Sequence, residues 1–520
     1  MFIQKKTIPA PSFSPFSGTD PDVGSSFFKK TAWNAIASLL NMVSRLSASI
    51  VIARSLGTEG TGWIAYLMWV SETAAIFLSA GFPEGLSRYL AEFSRQKSTG
   101  QGLARWIFGR FLGQSLLGIV IIGLCGHLWM AAQYDDKVLL IFLVMLLTRL
   151  LSGIYQSYLT GLQRFDLLAR INLISSVGLI AGVFVGVRLF GTAGALAGYA
   201  LGTLIPALLS FSMLLGSSQQ IHPDFPLKKR FRDYTLFLWF SNILGAFVWA
   251  RMEVFFLHRY WSDSEVSMFS VPQTVAGLIL NLAAMLSGAF MPYFAELSGS
   301  KNHEKIRTVF GSGNRLLALF LFPTALGGAA IMPVLFPLFY GHKFDPGIPN
   351  TMVLFAASFI TFGNISSALL TGLDRSRFVA TTTLIAACLS AIAGFTVIRF
   401  WGSWGAVWSR SVIQIGLTAA SYVYISRVIG CPVPLKSLIR LMASAVLCAL
   451  AAGSVVHFIP DLKGLILGLF SGFVTYVVSV KVIGGLEPVD AGHLERILRR
   501  LPQGLGPISI QLLHLVAPRS

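Results

Sequence analysis

The 520-residue chain is 54% hydrophobic and only 12% charged, with a mean hydropathy of +0.70 and a formal net charge of +18. Apolar runs long enough to cross a bilayer recur almost throughout, which excludes a soluble enzyme as the bulk of the molecule. The four cysteines, Cys125, Cys388, Cys431 and Cys448, stand far apart in or beside apolar runs, so neither a disulfide framework nor a zinc site is readable.

Residues 1–32 have no continuous apolar core and read as a cytoplasmic tail rather than a cleavable signal peptide. Their "DPD" (Asp20–Asp22) matches the D-x-D of metal-dependent glycosyltransferases, but no α/β domain surrounds it and no metal site is expected. Six spans follow, at 33–54, 63–82, 106–130, 138–160, 168–189 and 193–215, forming an N-terminal lobe over 33–215. A basic cytoplasmic linker, 216–233, contains "KKRFR". A C-terminal lobe, 234–426, holds six more spans at 234–258, 265–294, 308–333, 350–372, 378–400 and 404–426. Two appended helices, 437–459 and 464–483, lie within 427–483, and 484–520 read as a cytoplasmic amphipathic tail. The expected fold is all-α and polytopic. It has about 14 transmembrane helices, arranged as two pseudo-symmetric six-helix lobes around a central cavity plus two C-terminal helices. Pro206, Pro272 and Pro323 interrupt helices 6, 8 and 9 and permit bends there.

With the N-terminus inside, the cytoplasmic segments carry 27 of the 40 basic residues, the opposite face 7, and the span interiors 6. The 22 acids divide 13, 7 and 2, leaving net charges of +14, 0 and +4. Both termini are then cytoplasmic, and most of the positive charge is topological rather than a sign of nucleic acid. The embedded +4 is different. Each ionised group at mid-bilayer costs on the order of 3 kcal/mol, so uncompensated cations there point to an anionic visitor.

The two halves repeat. "LTGLQRF" (159–165) returns as "LTGLDRS" (370–376), and "VRLFGTAGA" (187–195) as "IRFWGSWGA" (398–406), both 211 positions later. "RYLAEFS" (88–94) answers "PYFAELS" (292–298). An even number of spans separates the copies, so the lobes share one orientation, as in transporters with parallel repeats.

Several span residues are polar or charged. Asn34, Ser38, Asn41, Arg45 and Ser49 fall on one stripe of helix 1, and Arg149, Ser152, Gln156, Thr160 and Gln163 on one stripe of helix 4. Facing lipid would be heavily penalised, so both stripes face an interior. In "NILGAFVWARMEVFFLHRY" (242–260), Arg251 and Glu253 stand two apart, on nearly opposite sides of a helix, and cannot pair with each other. Arg45, Arg149 and Arg251 are the candidate anion ligands. Asn34, Ser38, Asn41, Gln156 and Thr160 form the candidate polar stripe. Glu72, mid-span in helix 2, and Glu253 are each open to two readings: a site that takes a proton or Na⁺, or a fixed counter-ion for an arginine.

"VIARSLGTEGTGWIAYL" (51–67), "GFPEGLSRYLAEFSR" (81–95), the T-G-L turns and the F/W-G-x-x-G-A turns resemble the polysaccharide-transporter family. These are the Wzx-type flippases of the multidrug/oligosaccharidyl-lipid/polysaccharide (MOP) superfamily. The resemblance covers roughly residues 28–502. It implies translocation of an undecaprenyl-pyrophosphate-linked oligosaccharide to the outer leaflet of the bacterial plasma membrane. Membrane lipids, a polysaccharide polymerase and glycosyltransferases of one pathway are the implied partners. It also implies a cationic cavity receiving the pyrophosphate, a task suited to guanidinium. No cofactor is expected, and no G-x-x-x-x-G-K-[ST] loop occurs, so coupling to a proton, Na⁺ or the membrane potential replaces direct ATP drive. The alternatives are a lipid II flippase and a multidrug/cation antiporter, the latter disfavoured by the embedded positive charge. A membrane glycosyltransferase or polymerase would need a large external loop that the sequence lacks.

Overall fold

The structure is a computed structural model that describes residues 21–93, 97–130, 136–215, 225–249, 251–288, 290–300, 302–484, 490 and 492. Side chains are described for these except at 21–37, 97–99, 128–130, 215, 225–226 and 247–249. Among the described residues all regular structure is helical. In the first half the helices are α1 (Pro21–Ser79), α2 (Phe82–Glu92), α3 (Lys97–Met130), α4 (Asp136–Gly161), α5 (Phe165–Ser210) and α6 (Ser212–Leu215). Then come α7 (Phe225–Trp249), α8 (Glu253–Tyr260), α9 (Asp263–Ser287), α10 (Phe290–Gly299) and α11 (His303–Tyr340). After these follow α12 (Ile348–Ala357), α13 (Asn364–Gly372), α14 (Ser376–Ala393), α15 (Arg399–Tyr424), α16 (Leu435–Phe458) and α17 (Leu462–Ile483). In lipid a helix satisfies its own backbone, which is why so apolar a chain uses little else.

Ten helical runs among the described residues are long and apolar enough to cross a membrane. Three of them bend at a glycine: Gly57 (φ 70°, ψ −165°), Gly191 (φ 57°, ψ −129°) and Gly402 (φ 56°, ψ −138°). L side chains are essentially barred from that backbone region, which is why glycine stands there. In a straight helix Gly186 and Gly194 would be about 12 Å apart. Instead, a Cβ on Gly186 would sit 2.3 Å from the Gly194 carbonyl oxygen, so α5 doubles back at Gly191. In α15 a Cβ on Gly405 would lie 2.6 Å from the Val397 carbonyl oxygen, the same reversal. Taking each bent run as two crossings gives thirteen, and the α7–α8 pair is the candidate fourteenth. The prolines do not make these breaks. Pro206, Pro272 and Pro323 lie inside α5, α9 and α11, which continue through them.

The sequence repeat is a repeat of backbone conformation. Gly191 and Gly402, 211 positions apart, have nearly the same φ and ψ, and so do the left-handed positions Gln163 (φ 56°) and Asp374 (φ 54°). The T-G-L glycines also do equal work. A Cβ on Gly161 would meet Leu90 and the Ser87 carbonyl of α2 at 2.9 Å, and one on Gly372 would meet Phe294 of α10 at 2.9 Å. Each lobe thus packs a short amphipathic helix against the end of its fourth crossing.

Two hydrophobic cores separate the lobes, one drawn from residues 48–231 and the other almost wholly from 254–480. The helices α16 and α17 pack on each other and on α11, where the Tyr476 hydroxyl donates to the Leu319 carbonyl at 2.8 Å. Between lobes, the second leg of α1 lies along α9 so closely that a Cβ on Gly62 would fall 1.6 Å from the Asp263 carbonyl oxygen. Nearby, Tyr66 stacks on His258 with centroids 3.6 Å apart, and Arg54 donates to the Phe339 carbonyl at 2.7 Å at the end of α11. The lobes are therefore shut on the face that carries Gly57, Asp263 and Tyr340.

Candidate functional site

A cavity of about 360 Å³ opens beside α1, α4, α5, the α7–α8 junction and α9. Arg45, Arg149, Arg251 and Glu72 all line it, with Asn41, Ser49, Ser152 and Gln156 from the two polar stripes. The stripe logic works because residues three and four apart share a helix face, and that face is turned inward. Ser38 and Thr160 do not line the cavity. Ser38 lies a turn nearer the end of α1, and the Thr160 hydroxyl, exposed, donates to the Gln156 carbonyl of its own helix at 2.9 Å. The Asn34 side chain lies outside the described residues. The expected placement between lobes also shifts: all but four lining residues belong to the N-terminal lobe, the exceptions being Arg251, Ser270, Val271 and Thr274.

Arg251 sits in a break rather than in a continuous helix. It has φ +59°, and α7 ends and α8 begins on either side of it. A left-handed conformation costs a non-glycine residue about 1–2 kcal/mol, so packing holds it there. The break turns the guanidinium toward the N-terminal lobe while Glu253 goes elsewhere.

Of the two readings open for Glu253, the structure has the counter-ion geometry. Glu253 is buried and faces Arg410, whose Nη1 donates to Oε1 at 3.2 Å and to Oε2 at 3.3 Å. Arg410 is likewise buried, so this pair is a fixed counter-ion arrangement. Arg315 meets Asp490, at 2.5 Å from Nε to Oδ2 and 3.1 Å from Nη2 to Oδ1. In the cavity Arg149 Nη2 donates to Glu72 Oε1 at 2.8 Å. The embedded +4 thus resolves. Three of the six span arginines have carboxylate partners, Arg110 stacks over Trp106 at 5.0 Å, and no ion pair among the described residues holds Arg45 or Arg251. The cavity keeps a net +2 from Arg45, Arg149, Arg251 and Glu72.

Several lining residues escaped the sequence reading: Asn172, Ser175 and Ser176 of α5, with Tyr199 and Thr203. The i, i+3, i+4 spacing of Asn172, Ser175 and Ser176 was a readable stripe. It lacks an arginine, and short polar residues alone do not separate a cavity from interhelical hydrogen bonding. Ser175, Ser176 and Ser270 have buried hydroxyls without a protein hydrogen-bond partner in this wall. The four cysteines are free, Cys125 and Cys388 exposed and Cys431 and Cys448 buried.

A family described as "Polysaccharide biosynthesis protein" matches residues 27–298, 272 of the 520 positions. No curated protein matches the sequence significantly. Among solved structures, the fold is similar to lipid II flippase MurJ in an inward closed conformation, with 13% identity and TM-score 0.71 over 86% of this chain and 98% of that one. It is similar to an inward-facing multidrug resistance MATE family transporter of the MOP superfamily, with 15% identity and TM-score 0.55 over 76% and 97%. A MOP superfamily transporter from Pyrococcus furiosus, described by the reverse polarity of its binding pocket, matches at 15% identity and TM-score 0.53 over 76% and 94%. At such identities what is shared is the fold, that of multi-pass membrane transporters. The family match spans the segments that carry Arg45, Glu72, Arg149 and Arg251, and the chain belongs to the polysaccharide biosynthesis protein family.

Proposed function

We propose that the chain is a flippase that carries an undecaprenyl-pyrophosphate-linked oligosaccharide from the cytoplasmic to the outer leaflet of the bacterial plasma membrane. Arg45, Arg149 and Arg251 bind the pyrophosphate, and the two lobes rock about it in alternating access. The observation that carries this reading is the net +2 cavity built from guanidiniums of both lobes. A cation held at mid-membrane without a partner is expensive, and a substrate that brings phosphate oxygens offsets that cost with bidentate charge-assisted contacts. Membership of a polysaccharide biosynthesis family supports an oligosaccharide head. The cavity's sign speaks against a cationic drug as substrate. The lipid II alternative shares the pyrophosphate and the MurJ fold, so it differs only in the sugar. Deleting the gene is expected to stop export of one surface glycan while its lipid-linked precursor persists on the cytoplasmic leaflet. Loss of precursor synthesis would make the protein a synthase component instead, and arrest of peptidoglycan assembly would favour lipid II.

The positive-inside asymmetry supports cytoplasmic termini, with the shut face outward. Gly62→Val is then expected to prise the second leg of α1 from α9 and favour the outward-open arrangement. A cysteine at Ser49, in the cavity wall, should react faster with an impermeant thiol reagent added outside. Unchanged labelling would contradict this direction of opening.

A further inference from the structure

We propose that Glu72 is a built-in counter-anion that occupies Arg149 before substrate binds, and that the substrate's pyrophosphate displaces it. In this role Glu72 yields to a pyrophosphate and stays in place for a single phosphodiester. The inference rests on the cationic-cavity reading above.

Among the described residues two arginine–carboxylate pairs have both partners within the spans, and they differ in burial. Arg410 and Glu253 are 4% and 9% exposed, sealed in the protein interior. Arg149 and Glu72 are 25% and 32% exposed and line the cavity wall. A sealed pair can only be structural. An open pair at single hydrogen-bond contact, 2.8 Å through one guanidinium nitrogen, leaves the other donors of Arg149 for an incoming oxygen. The groups that face Glu72 across the cavity are Arg45, Arg149, Arg251 and Tyr199.

The arrangement discriminates by charge. A phosphodiester brings one negative charge, which Arg45 and Arg251 satisfy without disturbing Glu72. A pyrophosphate brings at least two and enough oxygens to reach Arg149 as well, so it can compete with the carboxylate already there. Ordinary phospholipids, far more abundant than a lipid-linked sugar, carry the single charge. Glu72 therefore makes the third arginine available only to an anion strong enough to take it. Its position adds a consequence. Ala65, Met68, Trp69 and Glu72 form one face of the second leg of α1, the leg that closes on α9 and sets Trp69 against Phe255 with ring centroids 5.7 Å apart. Release of Glu72 loosens the tie between that leg and α4.

The test is calorimetric binding of inorganic pyrophosphate and of dimethyl phosphate to the full chain in lipid nanodiscs. Glu72→Gln is expected to tighten pyrophosphate binding by about tenfold, since one charge-assisted hydrogen bond no longer has to be given up. Dimethyl phosphate, which leaves Glu72 in place, should gain far less, so the preference for pyrophosphate should widen. The gain should vanish in an Arg149→Ala background, which separates exchange at Arg149 from a general change in packing. Glu72→Asp, whose carboxylate is one methylene short of Arg149, should show a smaller gain and serves if the Gln variant is poorly folded. Pyrophosphate affinity unchanged or weakened in both variants would overturn the proposal while leaving the cavity reading standing. A wild-type protein that binds no pyrophosphate would overturn both.

Discussion

Arg45→Ala, Arg149→Ala and Arg251→Ala are each expected to abolish or sharply reduce glycan export at wild-type protein abundance, read by surface-glycan blots matched to membrane immunoblots. A charge-assisted hydrogen bond is worth about 1.5–3 kcal/mol, so loss of one ligand weakens head-group binding by roughly 10- to 100-fold. Lysine should rescue only partly, because a compact point charge cannot reproduce the planar fork. Arg251 allows a sharper separation of function from stability. Its φ of +59° is strained for arginine and relaxed for glycine, so Arg251→Gly should fold as well as wild type or better by about 1 kcal/mol. It should nevertheless fail in export. A gain in stability with a loss of function is the signature of a ligand held in place against its own backbone preference. Wild-type export by Arg251→Met at unchanged abundance would reduce this arginine to scaffold.

The opposite pattern is expected of its near neighbour. Glu253→Ala or Arg410→Ala leaves a buried charge without its partner, at a cost of about 3–5 kcal/mol, a large part of a typical protein's net stability. The defect should appear as lost protein in the membrane and a lowered Tm in detergent. Joint replacement by Glu253→Met and Arg410→Leu should restore abundance, since well-packed apolar residues of similar bulk replace a buried pair at little cost. Normal abundance of Glu253→Ala with transport lost would instead return Glu253 to the coupling role.

Much of the architecture was legible because membrane chains obey few rules. Apolar length marks the crossings. The 211-residue repeat fixed the lobe symmetry, and the structure explains its motifs: Gly191 and Gly402 hold a backbone closed to other residues, while Gly161 and Gly372 admit a neighbouring helix. The bends were misjudged because proline was read as a breaker, yet α5, α9 and α11 run on through Pro206, Pro272 and Pro323, where the surrounding protein can re-satisfy the lost hydrogen bond. At the site, arginines at mid-span on polar stripes led to the cavity because a charge at that depth of the membrane costs too much to be incidental. Their pairing was not legible. Arg410 lies 157 positions from Glu253 and Asp490 lies 175 from Arg315, and helix periodicity reports which face a residue occupies, never which distant helix it meets. The break at Arg251 was equally hidden, since nothing in "VWARMEV" signals a turn.

The most direct measurement is leaflet exchange in proteoliposomes. The purified chain is reconstituted with an undecaprenyl-pyrophosphate-linked oligosaccharide bearing a fluorophore on the sugar, and a membrane-impermeant quencher reports the inner-leaflet fraction over time. Wild-type protein should make that fraction accessible at a rate well above protein-free vesicles, and the Arg45→Ala/Arg251→Ala double variant should not. Exchange no faster than in protein-free vesicles, or equally fast with the double variant, would contradict a flippase working through a cationic cavity.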